Sequence, residues 1–202
     1  YFRFLRGIVD SEDLSLNVSR EMLQRDPKLA KIRSGLVKRI LAELKKKADK
    51  KADEYAGFWD NFGAVLKEGL YENFENRDKI LPLCRFKTTA GAEQISLDTY
   101  IERMQDGQEA IFTISGEDSE SLATSPQLEG FKARKVEVLL LTDPIDEFWV
   151  PAIGVYKDKP FKSVTRGGAD LDKIAAADEG KQKDEKKEKK ENKDKKEKKI
   201  KN

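Results

Sequence analysis

Arg20 and Gln24 stand four residues apart in the stretch GIVDSEDLSLNVSREMLQ, which runs from Gly7 to Gln24. On a helix that spacing puts both side chains on one face. A guanidinium is planar and always charged, so Arg20 has the chemistry to neutralise charge on a phosphoryl group, as an arginine supplied from another domain does. Asn17 precedes the pair in the loop. A plainer account of the same residues is that Asn17 and Ser19 cap a helix and Arg20 is a solvated surface charge. Both accounts stand on the residues alone.

A second candidate is the triplet Glu147, Phe148 and Trp149. Adjacent aromatics on a short helix cannot all face one core, so one of them is expected at a surface, where it can serve as a binding contact. Ordinary packing against a neighbouring element explains the triplet equally well. Elsewhere the chemistry is sparse. There is no phosphate-binding glycine loop, and the absence of histidine excludes histidine bases, the common nucleophile triads and the usual zinc sites. Cys84 is the only cysteine, so no internal disulfide forms, and no metal site is expected. An independent enzyme is hard to assemble from this inventory, and the chain alone is expected to be inactive.

The elements that must position these residues follow from periodicity. YFRFLRGIVD reads as a short strand that opens abruptly on Tyr1, as if cut inside a domain. Asp26 and Pro27 signal a helix start. Leu29, Ile32, Leu36, Ile40 and Leu44 then recur every three or four residues, the stripe of an amphipathic helix packed on a core. Tyr55, Phe58, Trp59, Phe62 and Leu66 mark a second helix, ended by Gly69, and the two make a helical hairpin or a bent rod. NRDKILPLCRF, from Asn76 to Phe86, is expected to be a third helix weakened by Pro82.

From Lys87 the pattern becomes short and alternating. Ser96 caps a helix reaching Met104, and AIFTIS (Ala110 to Ser115) is a strand. Pro126 opens a helix reaching Arg134, and VEVLLLTD (Val136 to Asp143) has the continuous apolar run of a strand buried on both faces. Asp143 and Pro144 begin the short helix of IDEFWV, and PFKSVT is a further strand. The expected class is therefore α/β, α+β overall. It comprises the end of a larger α/β subdomain with the Arg20 loop (1–26), a helical connector (27–86), a small three-layer α/β/α unit with a mainly parallel sheet (87–166) and a charged tail (167–202).

Charge belongs mainly to that tail. From Lys181 to Asn202 there are twelve lysines against six acids, so the tail carries +6 and the rest −4 of the formal +2. Such a segment buries too little to offset its ordering entropy and is expected to be disordered or a solvated helix. Lysine-rich tails can tether a module to nucleic acid or membranes by counterion release. The interspersed acids and the lack of aromatics argue instead for a linker, with no specific nucleic acid and no membrane as partner. No apolar run approaches the ~20 residues of a bilayer span, and the expected location is the cytoplasm.

The Gly7 to Gln24 stretch resembles a segment peculiar to the heat-shock-protein-90 chaperones. KILPLCRF, VLLLTDPIDE and DKPF fit the same family in the same order, with the bacterial branch the nearer match. The likeness runs from Tyr1 to about Ala177. It implies the middle segment of an ATP-dependent chaperone, in which Arg20 contacts the γ-phosphate of ATP, Gln24 is its partner and Asn17 lies in the same loop. ATP and Mg would be held by a separate N-terminal nucleotide domain. Glu147, Phe148 and Trp149 would lie on the client-binding surface. Partners implied are unfolded or partly folded client proteins, the N-terminal domain and co-chaperones. The family's homodimer is placed in doubt by the tail standing where a dimerisation domain is expected. The alternative is an interaction module tethered by the tail.

Overall fold

The computed structural model describes residues 2–8 and 27–174; Asn17, Arg20, Gln24 and the lysine-rich tail lie outside the described residues. The chain divides into two compact units, Tyr1–Arg85 and Phe86–Asn202. No helix among the described residues is long and apolar enough to cross a membrane.

In the first unit, helix α1 (Pro27–Lys50) starts at the proline, whose missing N–H costs nothing in the first helical turn. A single residue, Lys51, separates it from α2 (Ala52–Glu72). Ile40 and Leu44 of α1 line one groove with Phe58 and Phe62 of α2, so the helices fold back on each other as a hairpin. Tyr55, Trp59, Leu66 and Leu70 of α2 are buried. The expected α1 stripe is only half covered: Leu36 is 46% exposed, and Leu41 is the one residue of this helix that is fully buried. Gly69 does not end α2. It is buried inside the helix, which continues to Glu72 and closes when the Asn73 amide donates to the Gly69 carbonyl at 3.1 Å.

The expected third helix is broken into a 3₁₀ turn at Phe74–Asn76, a single helical turn α3 (Arg77–Ile80) and another 3₁₀ turn at Leu81–Leu83 that contains Pro82. Proline supplies no amide to an α-helical ladder, and the tighter turn accommodates it. The Tyr55 hydroxyl donates to the Leu83 carbonyl at 2.7 Å and ties this segment to α2. Residues 2–8 form a turn, with the Leu5 amide donating to the Phe2 carbonyl at 3.0 Å, rather than the expected strand. Phe4 packs its ring on Phe58 and Phe62 at 5.3 and 5.1 Å, and with no strand paired to this segment among the described residues, that aromatic packing gains more than extension would.

The second unit is built on one six-stranded sheet: β1 (Phe86–Thr88), β2 (Gly91–Ile95), β3 (Ile111–Ser115), β4 (Leu139–Leu141), β5 (Val155–Tyr156) and β6 (Lys159–Ser163). Their spatial order is β2-β1-β4-β3-β6-β5. The three central strands β4, β3 and β6 are parallel, while β1, β2 and β5 join antiparallel, so the sheet is mixed rather than mainly parallel. Helices α4 (Leu97–Glu102), α5 (Ser119–Ala123), α6 (Glu129–Ala133), α7 (Asp146–Ile153) and α8 (Gly168–Leu171) complete the unit. Ser96 caps α4 by accepting from the Thr99 amide at 3.1 Å, and Asp118 caps α5 through the Ser121 amide at 2.8 Å.

Register sorts the strand residues by face. Thr113 pairs with Leu139 and Ile114 with Leu140, so neighbours in the parallel ladder share a side. Phe112, Ile114 and Leu140 pack with Leu122 of α5, with Leu128, and with Phe131 of α6 in one buried cluster. On the opposite face, Trp149 of α7 meets Phe86 of β1 and Phe161 of β6. The sheet is thus the middle of three layers. Tyr100 ties this frame together: its hydroxyl donates to the Glu137 carbonyl (2.7 Å) and accepts from the Phe112 amide (3.0 Å) and Gln108 Nε2 (3.1 Å).

Candidate functional site

Helix α7 is set by residues at its two ends. Asp143 and Pro144 turn the chain out of β4, and the Asp146 amide donates to the Asp143 carbonyl at 2.9 Å. The Asp146 carboxylate, 1% exposed, accepts from Trp149 Nε1 at 2.6 Å and from the Asp143 amide at 3.3 Å. A buried carboxylate is costly unless such donors surround it, so Asp146 locks both the helix start and the indole. At the far end the Gly154 amide donates to the Val150 carbonyl at 2.9 Å. Gly154 has φ of 71°, a left-handed backbone that a residue without Cβ adopts without strain.

This anchoring decides which aromatic faces outward. Trp149 is 0% exposed, its ring 5.9 Å from Phe86 and 5.5 Å from Phe161. Consecutive helical residues point about 100° apart. Phe148 is therefore turned away and is 55% exposed, with Glu147 beside it on the surface. Of the three residues expected at a contact surface, Glu147 and Phe148 are exposed and Trp149 is buried. Trp149 is a core residue, because its large apolar area and its single N–H are both satisfied inside.

Beside α7 the sheet opens into a cleft of about 610 Å³, lined by Thr113, Ser115, Glu147, Pro151, Ser163 and Arg166 among others. Sequence reasoning had not singled out Ser115, Ser163 or Arg166. The signal available was position: Ser115 and Ser163 end the strands β3 and β6, and Arg166 follows β6 within three residues. Among the described residues no group of three or more histidines, cysteines, aspartates and glutamates is placed to hold a metal ion.

The Hsp90 protein family model matches residues 1–202. Chaperone protein HtpG of Roseobacter denitrificans is 59% identical over 184 residues, covering 91% of this chain and 29% of that protein. The same chaperone from Paramagnetospirillum magneticum is 59% identical over 183 residues, again 91% of this chain and 29% of the relative. Among solved structures, the middle domain of a Plasmodium falciparum protein described as a heat shock protein matches with a TM-score of 0.65 and 32% identity, over 70% of this chain and 60% of that one. The chain spans under a third of the length of the curated relatives it matches. With a family model matched along its whole length, relatives well over half identical and a mixed sheet shared with a solved middle domain, the chain belongs to the Hsp90 family and carries part of that family's middle-domain architecture.

Proposed function

We propose that this chain serves as part of the middle segment of an ATP-driven chaperone, offering Glu147 and Phe148 to unfolded or partly folded client proteins and Arg20 to a nucleotide held by a separate N-terminal domain. The observation that carries the client reading is the orientation of α7: one aromatic is locked in the core by Asp146, and its neighbour is thereby held out in solvent. A large apolar ring presented on a fixed helix loses little conformational freedom on binding, which is what makes such residues effective anchors.

The catalytic half of the reading rests on the match of the Gly7 to Gln24 stretch to the family's loop. ATP with Mg, bound in the other domain, would supply the free energy that biases the chaperone between open and closed states. Arg20 would bring a positive charge to the γ-phosphate on closure, Gln24 would orient the guanidinium from one turn away, and Asn17 would shape the loop. An arginine supplied in this way completes a split site, so hydrolysis is coupled to closure. Co-chaperones, a homodimer and a cytoplasmic setting belong to the same proposal.

In the full-length chaperone bearing this sequence, Arg20→Ala is expected to lower ATP hydrolysis at least tenfold while ATP affinity changes less than about twofold. An unchanged rate removes Arg20 from the mechanism. Phe148→Ala is expected to weaken binding of a permanently unfolded client by about tenfold. Undiminished affinity would move the client surface elsewhere.

A further inference from the structure

The cleft beside α7 lies where the topology of the sheet changes direction. β3 leads into α5 and α6, which pack on the face of Phe112 and Ile114, whereas β4, its neighbour, leads into α7 on the opposite face. Outgoing loops that diverge to opposite faces leave a crevice between them at the carboxyl ends of the strands, the usual place for a ligand in an open α/β sheet. Ser115 at the end of β3, Leu141 at the end of β4 and Ser163 at the end of β6 all line this one cleft. Its volume, about 610 Å³, is within the range of ligand pockets.

The charges in it are of both signs. Lys162 is paired with Asp170 at 2.7 Å, and Asp146 is committed to the Trp149 indole. Arg166 and Glu147 are exposed and make no ion pair with any described residue. An all-acidic ligand would meet Glu147 and an all-basic one would meet Arg166, so the lining suits a ligand carrying one charge of each sign. Pro151 and Phe161 add apolar surface to the same lining, and Glu147, which belongs to it, is next in sequence to the exposed Phe148.

We propose that this cleft is a mixed-charge subsite of the client surface: it takes an extended polypeptide segment, setting an acidic side chain against Arg166 and a basic one against Glu147. The proposal rests on the client-binding reading of α7 and adds to it a residue, Arg166, and a sequence preference.

The test is fluorescence anisotropy on this chain with a labelled unfolded peptide whose apolar centre is flanked by one Glu and one Lys. Two analogues carry Gln in place of either charge. Each neutralisation is expected to weaken binding by about three- to tenfold, and less at high salt. In Arg166→Gln the loss from neutralising the peptide's Glu should vanish while the loss from neutralising its Lys persists, and Glu147→Gln should show the converse. Equal affinity for all three peptides, or losses that survive in both variants, overturns the subsite. If Phe148→Ala then still weakens all three peptides alike, the client surface stands without it. No binding of any peptide overturns both.

Discussion

Replacing Trp149 by alanine removes the residue on which α7 turns, and the structure sets the size of the effect. An aromatic of this size buries roughly 200 Å², which at ~25 cal/mol per Å² amounts to about 5 kcal/mol as an upper bound. Measured aromatic truncations in cores fall at about 3–5 kcal/mol, and the loss of the indole N–H to Asp146 adds to the cavity. Trp149→Phe keeps most of the packing on Phe86 and Phe161 but withdraws that donor from a buried carboxylate, for about 1.5–3 kcal/mol. Phe148→Ala, one position away on the exposed side, should stay within about 0.5 kcal/mol. Urea unfolding followed by far-UV circular dichroism separates these cases. In Trp149→Phe the fluorescence of the remaining tryptophan, Trp59, follows the first unit alone, so a far-UV transition that it does not share belongs to the second. An alanine variant losing under about 1 kcal/mol, or a Phe148 variant losing more than the Trp149 one, would refute the account of the helix as held by its indole.

Three further outcomes are expected. Tyr100→Phe strands the Phe112 amide and the Glu137 carbonyl inside the second unit and should cost about 2–3 kcal/mol by the same unfolding measurement. Burial pushes the phenols of both Tyr55 and Tyr100 above the ordinary tyrosine range of about 10. A raised folded pKa means that this share of stability is intact below the unfolded value and is lost as pH climbs from there toward the folded value. Ultraviolet titration should therefore find these two phenols ionising last, together with alkaline unfolding. Gly63→Ala would set a Cβ 2.6 Å from the Trp59 ring; the first unit should lose about 1–3 kcal/mol, read from its own thermal or urea transition.

How far each element was legible depended on whether its signal was local. The starts of α4 and α1 were readable because both signals are local: Ser96 accepts from an amide one turn on, and Pro27 has no amide of its own to leave unpaired in the first turn. β3, β4 and β6 were readable from apolar or β-branched runs, although the run from Val136 to Asp143 yields only three ladder residues. The β5–β6 hairpin was missed. Its turn residues Lys157 and Asp158 both have positive φ, 46° and 63°, as a type I′ turn needs, but Lys-Asp lacks the glycine that usually announces one. Gly69 misled in the opposite sense, since a glycine within a helix reads like a glycine after it until the neighbours are known.

The residues of the site divide along the same line. The sequence by itself determined that Phe148 and Trp149, once on a helix, must face apart, because helical geometry admits no other arrangement, and that no imidazole contributes to the chemistry of this chain, because it has no histidine. Which aromatic goes inward was decided only by tertiary structure: the indole finds Phe86 and Phe161 from distant strands, and its N–H finds Asp146, whereas a phenyl ring at 148 has no polar group to satisfy. The half-covered stripe of α1 was likewise beyond periodicity, which gives the direction of an apolar face but not what covers it. Ser115, Ser163 and Arg166 meet in one cleft because two parallel strands send their helices to opposite faces. That juxtaposition joins residues up to 51 positions apart by strand order, a property of the sheet that no local stretch of the chain encodes.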